Sequence, residues 1–278
     1  MSEGELDQID EYQIVNTIYQ GNNTRVLEVS DGGATYAMKI LLPEPFKNSA
    51  QKQILKREAK IAKSLEHPNL VQFQKLVFTK QHGYMLMDFF RSVNLKLQIS
   101  NDLVGLHSRI RKLIDGMCLA LGFMHDKGWV HKDVKPDNIL FNKSSELKLV
   151  DYSLATRAAN ALSKILYSKM NKEIKGTRTY IAPETLRREP ETPQTDMYSL
   201  GVTLFEVLTG DLPFKGTTPA ELLRKHAIEA PPEPSSFNAN VTPEMDHFIL
   251  RLLAKNPKKR HKNMDEVHAE FRSLQPFK

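Results

Sequence analysis

Between an apolar segment ending at Val130 and another beginning at Ile139, the chain carries His131-Lys132-Asp133-Val134-Lys135-Pro136-Asp137-Asn138. One imidazole, two ammoniums, two carboxylates and a carboxamide crowd into that stretch. Pro136 forbids a helix running through it, and Ile139-Leu140-Phe141 reads as a short buried strand. The polar groups therefore belong to a loop. A second apolar run, Leu147 to Val150, follows the polar turn Asn142 to Glu146, with Asp151 at its end. The two runs form a β-hairpin whose pairing brings Asn138, just before the first strand, beside Asp151, just after the second. An amide oxygen next to a carboxylate suits a hard cation such as Mg²⁺, which takes a few protein oxygens and completes its shell with water and phosphate. Asp133 is left for another task.

The 278 residues, 40% hydrophobic and 26% charged, match a soluble globular chain of one large or two modest domains. The net charge of +6 is spread over scattered basic residues with no interleaved aromatics, so no nucleic-acid partner is expected. A single cysteine, Cys118, excludes an internal disulfide and a multi-cysteine zinc site; its apolar helical setting reads as inert core. The acidic N-terminus lacks a signal-like region, and no apolar run nears the roughly 20 residues that span a bilayer. No membrane segment is expected in this chain, and its expected location is cytoplasmic.

Residues 1–10 read as a flexible tail. Tyr12 to Ile18, Val26 to Ser30, Thr35 to Leu42 and Tyr84 to Phe90 read as strands, with Asp31-Gly32-Gly33 a turn. Lys39 falls on a strand face shared with Ala37 and Leu41. In the helix expected over Gln51 to Leu65, Glu58 shares a stripe with Ile54, Ile61 and Leu65. Two opposite charges pointing inward from neighbouring elements predict an ion pair, and holding Lys39 to grip a phosphate is a functional reason for one. Leu106, Ile110, Leu113, Ile114, Met117 and Leu121 predict one long helix leading to the polar loop. The run Met197 to Leu208 is apolar nearly all round and predicts a buried central helix with Asp196 at its start. Thr218-Pro219-Ala220-Glu221 is a capping box, Thr242-Pro243 opens a further helix, and 265–274 forms a short terminal one.

In this order the segments resemble a eukaryotic-type (Hanks-type) serine/threonine protein kinase catalytic domain, from about Tyr12 to Leu274. Tyr36-Ala37-Met38-Lys39 matches the V-A-I-K strand, and Glu58 its helix partner. His131-Lys132-Asp133 stands for H-R-D, Asn138 for the catalytic-loop asparagine, and Asp151-Tyr152-Ser153 for D-F-G. Ala182-Pro183-Glu184 is A-P-E. Asp196, Ser199 and Gly201 resemble the central-helix pattern, and Arg260 the arginine that pairs with the A-P-E glutamate. The resemblance implies an α+β, bilobal fold: a small β-rich N-lobe with one main helix (11–88) and a larger, mostly helical C-lobe (89–278), with the activation segment at 151–184.

It also implies ATP and Mg²⁺ as cofactors. ATP would be bound by Ile18, Gly21, Val26, Ala37, Lys39, Glu58, the gatekeeper Met87, and the hinge from Asp88 to Phe90; Asn138 and Asp151 would hold the metal. Asp133 would accept the substrate hydroxyl's proton, and Lys135 would neutralise the moving phosphoryl group. Lys135-Pro136-x-Asn138 with Thr177 marks serine/threonine specificity. The implied partners are protein substrates carrying Ser or Thr and, through self-association, a second copy for autophosphorylation, with Thr156, Ser163, Ser168 and Thr179 as candidate sites.

Three motifs depart from the family pattern. Counting back from Val26, the glycine loop keeps only Gly21, with Tyr19 and Thr24 at the other two positions, which predicts weaker ATP binding. Ser153 replaces the glycine of D-F-G. Lys132 replaces the arginine of H-R-D and lacks its bidentate fork for a phosphorylated residue. A pseudokinase scaffold that binds nucleotide with little turnover is the alternative. The segment after Asp151 is long, and Leu162, Ile165, Leu166 and Met170 keep a helical spacing within it.

Overall fold

Alternation of apolar and polar residues from Tyr12 onward builds one antiparallel sheet. Its strands are β1 (Gln8–Ile9), β2 (Tyr12–Gln20), β3 (Thr24–Asp31), β4 (Ala34–Leu41), β5 (Phe73–Phe78) and β6 (Gly83–Asp88), in the order β1-β2-β3-β4-β6-β5. The computed structural model describes residues 8–159 and 178–278, so the spacing at Leu162 to Met170, together with Ser163, Ser168 and Thr177, lies outside the described residues. One sheet face buries Leu27, Val29, Met38, Ile40, Tyr84 and Leu86 with Ile9 and Tyr12. Cross-strand neighbours share a face, so Val26, Lys39 and Met85 form one row of the other face, with Ala37 and Met87 in the next. Gly32 and Gly33 take φ of 53° and 87°, the left-handed pair that lets β3 turn tightly into β4.

Residues 8–10 were expected in the flexible tail, yet β1 pairs with β2 there. Ile9 is buried, and the Tyr84 hydroxyl donates to the Asp10 carboxylate at 2.8 Å.

A short helix, α1 (Pro43–Lys47), precedes α2 (Ser49–Lys63), whose first turn is capped by the Asn48 side chain accepting from the Ala50 amide at 2.8 Å. The buried stripe of α2 holds Leu55, Glu58, Ala59 and Ala62. Ile54, expected on that stripe, sits at its edge and is exposed, because the stripe centres one residue further round the helix.

Contacts divide the chain into two compact units, one ending at Arg91 and the next beginning at Ser92. The second is mostly helical. The single helix expected from Leu106 is two, because Arg109 takes φ −112° and ψ 8° and breaks the ladder. After α3 (Leu95–Asn101), α4 (Leu103–His107) is capped by Asp102, and α5 (Ile110–Asp126) follows. Leu106 and Ile110 are both buried across the break, which is why the apolar spacing reads as continuous.

Two small pairings come next. β7 (Trp129–Val130) pairs with β10 (Thr156–Arg157), and β8 (Ile139–Phe141) with β9 (Leu147–Leu149). The Thr156 hydroxyl is buried in that first ladder, which argues against its place among the self-modification sites. Then come α6 (Pro183–Leu186), α7 (Pro193–Thr209), α8 (Pro219–Ile228), α9 (Pro243–Leu252) and α10 (Met264–Arg272). Helix α7 is buried continuously from Thr195 to Leu208, as its all-round apolarity predicts, and a Thr192–Thr195 capping box starts it. Thr218 caps α8 as expected, accepting from the Glu221 amide, while the Glu221 carboxylate reaches back to Thr217 rather than Thr218. Among the described residues, no helix is long and apolar enough to cross a membrane.

His226, fully buried on α8, packs edge-on against Tyr198 and Phe214, and its carbonyl accepts from Lys255 Nζ at 2.9 Å. Burial, reinforced by the Lys255 charge, lowers its pKa from 6.5 to about 4 despite an opposing backbone contact at Thr179. The unfolded chain therefore binds a proton that the folded one refuses. This contribution to stability is complete above pH 6.5 and is lost as the pH falls toward 4. Thermal melts from pH 7 to 4.5 are expected to show His226→Gln losing about 2 kcal/mol less stability than wild type across that range. Parallel curves would refute this.

Candidate active site

In the first unit, Lys39 sits in the middle of β4, between Val26 and Met85. Its ammonium donates to both carboxylate oxygens of Glu58, at 2.7 and 2.9 Å, with the two side chains only 11% and 3% exposed. The ion pair expected from two inward charges is formed. So buried a cation fixed by a carboxylate is a preorganised anchor for anionic oxygen. Ala37 and Met87 flank it on the same face, Met87 buried and Ala37 half-buried. Ile18 is displaced from this pattern. It falls at a register irregularity between the Thr17–Leu27 and Tyr19–Val26 pairs and is exposed.

Gly21 begins the tight turn into β3, its amide donating to the Thr24 carbonyl at 2.9 Å. The Tyr19 ring lies over it: a Cβ at Gly21 would meet Tyr19 Cε1 at 3.2 Å. Asp88, Phe89 and Phe90 are half-buried at the end of β6, and the Asp88 amide donates to the Gln72 carbonyl at 3.0 Å.

In the second unit, the loop after β7 is organised from beneath by Asp196. This carboxylate accepts from the backbone amides of His131 and Lys132, each at 2.8 Å, and from His125 Nε2 at 2.9 Å. Burial works against ionisation there. The His125 hydrogen bond, the nearby imidazoles and the Lys132 amide outweigh it and hold the Asp196 carboxyl below the usual range. His131 Nδ1 accepts from the Asp133 amide at 3.2 Å, so its Nε2 is the donor to the Val150 carbonyl, also at 3.2 Å. With both ring nitrogens engaged and the Tyr152 ring edge-on at 5.9 Å, His131 is a packed structural imidazole.

Asp133 Oδ2 takes two donors, Lys135 Nζ at 2.7 Å and Asn138 Nδ2 at 2.9 Å. Asn138 Nδ2 also donates to the Asp133 carbonyl at 2.8 Å. Committing its nitrogen in this way leaves the amide oxygen as the group Asn138 can offer to a cation. The expected hairpin forms: Ile139 pairs with Leu149, and the Val150 amide donates to the Asn138 carbonyl at 3.0 Å, so Val150 faces Asn138 and Asp151 follows one residue later. Asp151 has φ +66° and Lys132 φ +71°, two left-handed non-glycine residues held in place by their surroundings. Asp151 Oδ1 accepts from the Ser153 amide at 3.1 Å.

A family model described as the protein kinase domain matches residues 12–271. The chain belongs to the protein kinase family. This kinase domain is 32% identical over 239 residues to the serine/threonine-protein kinase PknB of Mycolicibacterium smegmatis, covering 84% of this chain and 38% of that protein. It is 29% identical over 239 residues to PknB of Mycobacterium tuberculosis, with 84% and 38% covered. With the probable serine/threonine-protein kinase PknB of Lactococcus lactis it shares 28% over 261 residues, with 93% and 41% covered. The chain thus spans about two-fifths of the length of these curated relatives.

The bilobal α+β fold of the kinase family is that of the two units described, a β-sheet N-lobe and a helical C-lobe. In the C-lobe, Arg260 makes the pair expected of it: Nη1 and Nη2 donate to the two Glu184 oxygens at 2.7 and 2.9 Å. The Ser199 hydroxyl donates to the Tyr180 carbonyl at 2.8 Å, tying α7 to the stretch before Ala182. Two functional neighbours escaped the sequence reading. His125 supports Asp196 from 71 residues away, and Glu191 meets Lys132 from 59. Neither belongs to a local motif, so no spacing signals it.

Proposed function

We propose that this chain is a serine/threonine protein kinase domain transferring the γ-phosphoryl group of ATP to Ser and Thr hydroxyls of proteins, itself included. The observation that carries the reading is the cluster in which Asp133 Oδ2 is held by Lys135 and Asn138 while Asp151 follows directly on Val150, whose amide donates to the Asn138 carbonyl. Asp133 is oriented to accept the substrate hydroxyl's proton as the hydroxyl oxygen bonds to the γ-phosphorus and the bond to the β-phosphate oxygen breaks. Lys135 is the cation available to offset charge on the transferring group, and Lys39, fixed by Glu58, is the one to hold the α- and β-phosphates.

Asn138 and Asp151 present one amide oxygen and one carboxylate, hard donors that fit Mg²⁺. When bound there, Mg²⁺ would neutralise the phosphate oxygens. The Asp88 amide is spent on Gln72, so hydrogen bonds to adenine would come from its carbonyl and from groups beyond it. The complete set of Lys39, Glu58, Asp133, Asn138 and Asp151 supports turnover over a nucleotide-binding scaffold. Dependence on ATP and a free buried cysteine, Cys118, accord with a cytoplasmic setting for this domain.

Incubation with Mg²⁺ and ATP followed by mass spectrometry tests the proposal: phosphate on Ser or Thr of a protein substrate is expected, and none at all would overturn it. Tyr19 over Gly21 adds a finer prediction. Tyr19→Ala is expected to lower the KM for ATP by about three-fold with kcat unchanged, because the loop's amides become easier to approach. Steady-state kinetics at varied ATP decide it, and an unchanged or higher KM rejects the crowding argument.

A further inference from the structure

Lys132 lies between the packed His131 and the base Asp133, with a left-handed backbone and its amide held by Asp196. Its ammonium meets Glu191 Oε1 at 2.8 Å, with the side chains 14% and 9% exposed. Glu191 immediately precedes the Thr192 cap of α7, and its carbonyl accepts the Ala159 amide at 3.1 Å. Next to that contact, the Ala158 amide donates to the Gly128 carbonyl at 2.9 Å. Glu191 therefore holds the catalytic loop through its side chain and the stretch after Asp151 through its backbone. A lysine side chain is a flexible stem with a strongly hydrated head, and in a site this poorly exposed it needs an anion to settle.

We propose that Glu191 is a positioning residue for phosphoryl transfer: a built-in anion that neutralises Lys132 and fixes the peptide carrying Asp133. The domain is then competent without a phosphate placed on its activation segment. This deepens the kinase reading and rests on it. A lysine paired with a carboxylate needs no fork to grip a phosphate, so the Arg-to-Lys departure at this position and the Glu191 partner form one arrangement.

The test compares the chain as purified with the chain stripped by a phosphatase. Intact mass confirms zero phosphates, and initial rates on a Ser-containing peptide are read with Asp133→Asn as the blank. Stripped wild type is expected to keep kcat within about two-fold of the untreated protein. Glu191→Gln is expected to lose at least about ten-fold in kcat while the KM for ATP stays within about two-fold, a split that simple loss of folded protein would not give. Glu191→Asp, which restores a carboxylate, is expected to recover kcat to within about three-fold of wild type. The proposal is overturned if stripped wild type falls about ten-fold and recovers on preincubation with ATP, or if Glu191→Gln keeps the wild-type kcat. Should Glu191→Gln fail to fold, the stripped wild type decides alone. If wild type in both states equals the Asp133→Asn blank, the kinase reading fails instead.

Discussion

Replacing Asp133 with Asn is expected to lower kcat by about a thousand-fold while the KM for ATP changes by less than about three-fold. The substitution is nearly isosteric. An amide oxygen at the same place still accepts from Lys135 Nζ and Asn138 Nδ2, which now reach Asp133 Oδ2 at 2.7 and 2.9 Å, so the loop keeps its shape. What disappears is the negative charge that takes the hydroxyl's proton. The Lys39–Glu58 pair is untouched and nucleotide affinity should be too, which is why the loss belongs in kcat. Calorimetric titration of an ATP analogue beside steady-state rates separates the two quantities. A kcat within about ten-fold of wild type would show that Asp133 is not the base.

How much of this site could be read in the sequence follows from how local each interaction is. The hairpin between Asn138 and Asp151 spans two short apolar runs and a polar turn, so its existence was legible, although its register sets Val150 rather than Asp151 opposite Asn138. Lys39 and Glu58 were legible because each violates the apolar pattern of its own element. The α4–α5 break was not legible, since Leu106 and Ile110 stay buried on both sides of it and only the Arg109 backbone interrupts the helix. Ile18 comes from resemblance alone, and alternation does not announce the register irregularity at which it lies. Glu191 and His125 lie furthest from any reading, because their partners come from turns and helices joined only by the fold. Long-range polar partners are chosen by tertiary packing, and a carboxylate in a loop looks the same from the sequence whether it faces water or Lys132.

Arg260→Met is expected to cost the C-lobe about 3–5 kcal/mol, the largest single stability effect proposed for this chain. The guanidinium side chain is 0% exposed and Glu184 2%. Beyond its two bonds to Glu184, Arg260 donates to the Gln194 carbonyl at 2.7 Å and the Ala254 carbonyl at 2.8 Å, and it stacks 4.9 Å from the Tyr198 ring centre. One side chain thus joins the start of α6, the first turn of α7 and the chain just past α9. Attraction between the charges is not what makes the loss large, since desolvation offsets most of it when the pair forms. The cost comes from what stays behind: a buried Glu184 carboxylate with no arginine, and two carbonyls that each lose a donor.

That reasoning has a second consequence. Glu184→Leu with Arg260→Met removes both charges and is expected to be less destabilising than the sum of the single changes, by at least about 1 kcal/mol. Urea unfolding followed by the fluorescence of Trp129, which lies in the C-lobe, measures both variants. A single-mutant loss below about 1 kcal/mol, or strict additivity in the double mutant, would mean that the Arg260–Glu184 pair does not hold these elements together.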